Sequence, residues 1–112
     1  MGFESFNLET ELAGIKLKNP VGLAAGYDKN CKLIPGLSSL GFGYLVTGTV
    51  TKEPKIGNPK PRVIRRKEEK ALINALGFPG QGLKEAKKAI QKGTKSCNSS
   101  KVIVSISGVE IE

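Results

Sequence analysis

Three short apolar runs carry no apolar–polar alternation: Val21-Gly22-Leu23-Ala24-Ala25, Tyr44-Leu45-Val46-Thr47 and Val102-Ile103-Val104-Ser105-Ile106. Runs of this length and kind are expected of strands buried on both faces, as in parallel sheets. Between them lie stretches with helical spacing. Leu33, Ile34, Leu37 and Leu40 recur at helix period, with Pro35 in the first turn and Gly41 at the end, which predicts a helix from about Ile34 to Leu40. Leu83, Ala86 and Ile90 mark one face of a second helix. Lys84, Lys87 and Lys88 lie on its solvent side, and Gly93 is expected to close it.

Ahead of the first run, Leu8 to Leu12 and Ile15 to Lys18 alternate around Ala13-Gly14, a hairpin pattern, and Asn19-Pro20 breaks the chain. The order is then hairpin, β, α, β, long loop, α, β. Strands alternating with amphipathic helices argue for a parallel α/β sheet. A complete (β/α)8 barrel needs about 250 residues. With 112 residues, the chain is expected to stop partway through a larger fold, with Val109 to Glu112 starting a further segment.

Composition narrows the chemistry. Histidine is absent, so no imidazole serves as base or metal ligand, and no metal site is expected. The two cysteines, Cys31 and Cys97, are too far apart for a CxxC motif and are expected as free thiols. No apolar run approaches the ~20 residues of a membrane span, and Met1 to Glu4 lacks the regions of a signal peptide. Glycine is frequent, at 14 residues, so tight turns and close backbone approach to a ligand are expected.

The formal charge is +8. From Lys52 to Lys67 there are seven basic residues and one acid, with Pro54, Pro59 and Pro61 making most of this an irregular excursion. Arg62 to Arg65 offers a short strand, and Asn74 to Phe78 another loop. The basic run reads as a solvated surface, or as a contact for phosphates or an anionic membrane. No aromatic residue interleaves it, which weakens a nucleic-acid reading based on stacking.

Ligands of α/β sheets and barrels sit at the carboxyl ends of the strands. Three loops fall there: Ala25 to Asn30, Gly48-Thr49, and Ser105 to Gly108. Gly26 allows close backbone approach, Lys29 offers a cation, and Thr49 a hydroxyl. Together they suit an anionic, planar, hydrogen-bonding ligand. Taken singly, Gly26 is a turn residue, Lys29 a solvated cation, and Asn74 to Phe78 the entry to a helix.

The wording of the loops goes further. Asn19-Pro20-Val21-Gly22-Leu23-Ala24-Ala25-Gly26-Tyr27-Asp28-Lys29-Asn30 resembles the first strand and loop of the dihydroorotate dehydrogenase family. So do Leu40-Gly41-Phe42-Gly43-Tyr44 leading to Gly48-Thr49-Val50-Thr51, Gly57-Asn58-Pro59-Lys60-Pro61-Arg62, and Ile73-Asn74-Ala75-Leu76-Gly77-Phe78. The wording is most similar to the quinone-linked class. The resemblance implies a TIM barrel represented by its N-terminal hairpin and about the first three βα units, with residues 1–112 forming part of one domain.

It also implies flavin mononucleotide (FMN) as cofactor and dihydroorotate as substrate, oxidised to orotate in pyrimidine biosynthesis. The flavin takes a hydride from carbon six while a Ser or Cys base removes a proton from carbon five. By this resemblance Ala25, Gly26, Tyr27, Asp28, Lys29, Thr49 and Ser105 contact the flavin. Lys29, Asn74, Ala75, Leu76, Gly77 and Phe78 line the substrate, with the Asn74 amide bonding the pyrimidine ring. Ser105 stands where the quinone-linked class usually carries Asn, and Leu76 where many relatives have Met.

The catalytic base and the flavin phosphate site are expected beyond residue 112, so no residue here is assigned as catalytic. The isolated chain is expected to be inactive and to self-associate through open sheet edges. The parent enzyme is expected in the cytoplasm, or on a membrane surface. Two other readings stay open: another flavin barrel acting on a related ring, and a basic, non-enzymatic module using Lys52 to Lys67 on nucleic acid or anionic lipid.

Overall fold

The computed structural model describes residues 8–97 and 99–108. The Met1 to Glu4 start and the Val109 to Glu112 segment lie outside the described residues. The alternating hairpin forms as expected. β1 (Thr10–Leu12) and β2 (Ile15–Leu17) pair antiparallel, Thr10 opposite Leu17, across the Ala13-Gly14 turn.

The three apolar runs form one parallel sheet in the order β3-β4-β7. β3 is Gly22–Leu23, β4 is Tyr44–Val50 and β7 is Lys101–Ile106. β4 is central. Gly22 and Leu23 sit opposite Tyr44 and Leu45, and Tyr44 to Thr47 run opposite Lys101 to Val104. The register shifts between Thr47 and Val50, where Gly48 takes φ +100°. A Cβ on Gly48 would lie 2.6 Å from the Ser105 carbonyl oxygen, so the close approach of β7 requires glycine there.

β3 is shorter than the expected Val21 to Ala25. Asn19 explains its start. Its buried side chain accepts from the Val21 N–H (3.0 Å) and the Gly43 N–H (3.1 Å), and donates to the Gly41 carbonyl (2.9 Å). The residue read as a breaker thus ties the start of β3 to the segment leading into β4. At the other end the chain has turned by Gly26, whose N–H donates to the Gly48 carbonyl at 2.9 Å.

α1 (Ile34–Ser38) and α2 (Gly82–Lys95) pack on one face of the sheet. The core is Cys31, Ile34, Leu37, Leu45, Val50 and Ala86, with Leu23, Phe42, Ala89, Ile90 and Val102 packed against it. Pro35 occupies the first turn of α1 as expected.

Two expectations need correction. Gly93 does not end α2, which runs on to Lys95; it is buried, and a Cβ there would lie 3.0 Å from Ile34 Cβ. Its small size is a packing requirement between the helices. Nor are the strands buried on both faces. Val21, Val104 and Ile106 are exposed; Val104 and Ile106 lie opposite Thr47 and Val50 on β7, an edge strand beyond which no described element packs. The described sheet does not close into a barrel.

The basic excursion is more regular than its prolines suggest. Leu83 N–H donates to Lys52 carbonyl, Lys55 and Gly80 exchange backbone hydrogen bonds, Asn58 N–H donates to Leu76 carbonyl, and Ala75 N–H donates to Arg62 carbonyl. The ladder continues as the antiparallel pair β5 (Val63–Arg66) and β6 (Ala71–Asn74). The chain between β4 and α2 is therefore a long ribbon that leaves the end of β4 and returns beside it at Leu83. β6 was not expected from the sequence.

Candidate functional site

The carboxyl ends of β3 and β4 and the returning leg of the ribbon border an open cavity of about 440 Å³. Ala25, Gly26 and Lys29 come from the loop after β3, Thr49 from β4, and Asn74 to Phe78 from the end of β6 and its exit. Asn58 and Pro79 complete the wall. Nine residues singled out from sequence, in three distant segments, thus share one space. A groove of about 400 Å³ on the outer side, between α1 and α2, is lined by Lys32, Glu85, Lys88 and Lys92 and lacks the strand-end loops.

Three of the candidate residues do not line the cavity. Tyr27 is exposed on the same loop and is not part of the cavity wall. Asp28 is buried and structural. Its carboxylate accepts from the Lys32 N–H (2.9 Å) and the Leu33 N–H (3.1 Å), and its backbone carbonyl accepts from the Thr47 hydroxyl (3.1 Å) and the Gly48 N–H (3.0 Å). Ser105 reaches Thr49 instead, its hydroxyl 2.8 Å from that of Thr49.

Asp28 therefore builds the site without facing it. It caps the turn into α1 and ties that turn to β4, which fixes the loop carrying Gly26 and Lys29. Directly beneath, Cys31 is fully buried. Burial pushes its thiol above the usual range, the Asp28 charge adds to this, and a hydrogen bond with Thr47 works against it. A neutral, enclosed thiol is a packing group rather than a nucleophile.

Lys29 hydrogen-bonds through Nζ to the Gly26 carbonyl, which folds the ammonium back over its own loop at the cavity edge. Asn30 accepts from the Gln81 N–H at 3.1 Å and so links this loop to the start of α2. The opposite wall is braced by two residues that sequence reading did not promote. Asn58 donates through Nδ2 to the Ala75 carbonyl at 2.8 Å. Arg62 donates to the Ile56 and Asn58 carbonyls at 3.0 and 3.2 Å. Both lie in the Gly57-to-Arg62 wording, but the 17-residue separation from Asn58 to Ala75 carries no local periodic signal. No group of three His, Cys, Asp or Glu that could hold a metal occurs among the described residues.

Lys29, Thr49 and a short loop gathered at the carboxyl ends of parallel βα strands stand where (β/α)8 barrels carry their ligands. The chain belongs to the dihydroorotate dehydrogenase family, whose sequence profile matches residues 7–112. It is 57% identical over 76 residues to the dihydroorotate dehydrogenase (quinone) of Christiangramia forsetii, covering 68% of this chain and 22% of that protein. It is 58% identical over 73 residues to that of Polaromonas naphthalenivorans, covering 65% and 21%. The structure is similar to that of DHODH from Eimeria tenella in complex with ferulenol, with a TM-score of 0.84 and 33% identity over 92% of this chain and 29% of that one. The chain spans about 22% of the length of the Christiangramia relative.

Proposed function

We propose that residues 1–112 are the N-terminal part of a dihydroorotate dehydrogenase barrel and supply one wall of its FMN and dihydroorotate site. The observation that carries this reading is the shared cavity, in which Lys29, Thr49 and Asn74 to Phe78 converge from three segments. Membership of the family favours the enzyme over a basic binding module.

The residues present fit part of a flavin site. Ala25 and Gly26 leave an open wall, and a Cβ built on Gly26 would meet nothing within 4 Å. The Thr49 hydroxyl, held by Ser105, offers a hydrogen-bonding edge beside it. Ala25, Gly26 and Thr49 would hold the ring system. When bound, FMN supplies the two-electron acceptor for oxidation of dihydroorotate to orotate.

The rest is done by this chain's own side chains. Lys29, released from the Gly26 carbonyl, pairs with the substrate carboxylate and stabilises negative charge that develops nearby. Asn74 offers both an amide donor and a carbonyl acceptor to a pyrimidine ring. Leu76 and Phe78 present apolar surface on the same wall.

The test is the visible absorption spectrum of the intact protein carrying this sequence. A flavin band that bleaches on anaerobic addition of dihydroorotate supports the reading. A flavin band indifferent to dihydroorotate points to a different ring substrate and overturns it.

A further inference from the structure

Asn58 touches the candidate site in a way that neither a turn nor a surface residue requires. It sits on the outgoing leg of the ribbon, opposite Ala75 to Gly77 on the returning leg. Its backbone N–H donates to the Leu76 carbonyl at 3.0 Å, and its side-chain amide donates to the Ala75 carbonyl at 2.8 Å. Gly77, at φ +74°, lies flat against it: a Cβ there would sit 2.8 Å from Asn58 Cγ. Arg62 in turn holds the Asn58 carbonyl at 3.2 Å and, through its own carbonyl, the Ala75 N–H at 2.9 Å. The side chain is also part of the cavity wall.

We infer that Asn58 is a positioning residue that sets the path of Ala75-Leu76-Gly77 and so aims the Asn74 amide at the pyrimidine ring of the substrate. The inference rests on the proposed function and adds to it. Two adjacent carbonyls, those of Ala75 and Leu76, are both taken by one residue. The segment can then neither twist its peptide planes into the cavity nor drift from the ribbon. A carboxamide is needed because the Ala75 carbonyl wants a donor while the adjoining Gly77 leaves room for only a small, flat group. Held in this way, Asn74 meets its ligand without an ordering cost at binding.

The test uses the intact, flavin-loaded protein carrying this sequence, with orotate as the probe and binding read by calorimetry. Asn58→Ala and Asn58→Ser remove the amide donor without adding charge. Both are expected to keep the flavin content and melting temperature close to those of the unsubstituted protein. Both should raise the orotate Kd about tenfold, the usual scale for a lost positioning hydrogen bond. The KM for dihydroorotate should rise more than kcat falls.

In an Asn74→Ala background the effect of Asn58→Ala should shrink, because the group being aimed is gone. An orotate Kd within twofold of the unsubstituted protein in both Asn58 variants overturns the inference. So does an effect that is fully additive with Asn74→Ala, or loss of flavin and fold in both variants. Failure of the unsubstituted protein to bind orotate overturns the proposed function itself, a distinct result.

Discussion

Thr47 donates its hydroxyl proton to the Asp28 backbone carbonyl at 3.1 Å, joining the centre of β4 to the turn before α1 across 19 residues of chain. Thr47 is 1% exposed and Asp28 4%, so water does not compete. The two residues are not equally costly to lose. Without Thr47 the carbonyl still accepts from Gly48 and Cys31, and Thr47→Val should cost about 1 kcal/mol. Without the Asp28 carboxylate, the N–H groups of Lys32 and Leu33 lose their acceptor. Asp28→Ala should therefore cost about 1–3 kcal/mol. Denaturant midpoints of the intact protein check the order; a larger loss for Thr47→Val would contradict it.

Gly93 and Ile34 set the distance between α1 and α2. A Cβ at Gly93 would lie 3.0 Å from Ile34 Cβ and 3.3 Å from its Cδ1. Alanine there offsets a tight contact with the roughly 1 kcal/mol gained by replacing glycine within a helix. Leucine has no room, and Gly93→Leu should destabilise by about 1–3 kcal/mol through overpacking. Thermal melting of Gly93→Ala beside Gly93→Leu separates the two terms. A Gly93→Leu protein as stable as the parent would show that the helices are free to separate.

These two sites show what the sequence made legible. Residues 44–47 and 102–106 announced parallel strands through their unbroken apolar character, and Lys29, Thr49 and Asn74 to Phe78 were assigned through the wording of their loops. Both signals are local. What was missed depends on partners far along the chain. Gly93 reads as a terminator because glycine commonly ends helices, yet its role is set by Ile34. Asp28 reads as a loop residue, while its acceptors face inward to α1 and β4. The ribbon was hidden by Pro54, Pro59 and Pro61, which mask a ladder formed mainly by the residues between them.

Cys31 makes stability depend on alkaline pH. Burial raises its folded pKa above the ordinary 9.0. The unfolded thiol thus loses its proton at lower pH than the folded one. The contribution is fully present below about pH 9 and is lost as pH rises from there through the folded value. Cys31→Ala should flatten the alkaline fall of stability, as read from denaturant midpoints between pH 8 and pH 10. An unchanged slope would mean that other groups carry it. In the same range the enclosed Cys31 should resist thiol reagents in the native state, while the half-buried Cys97 reacts first.

Lys29 carries the charge complementarity of the proposed site, and its present partner is the Gly26 carbonyl. An anionic ligand must draw the ammonium from a neutral carbonyl toward a carboxylate, which is the stronger acceptor. Lys29→Ala should raise the orotate Kd of the intact protein by about tenfold or more, the range of a lost charge-assisted hydrogen bond. Lys29→Arg keeps the charge but puts a rigid, planar fork where a compact ammonium folds back over Gly26, so it should restore little. Lys29→Met tests the packing of the stem without the charge. Salt should weaken orotate binding to the unsubstituted protein and leave binding to Lys29→Met nearly unaffected. If Lys29→Met binds orotate as tightly as the unsubstituted protein, the cation serves only its own loop, and the anionic end of the ligand is held elsewhere.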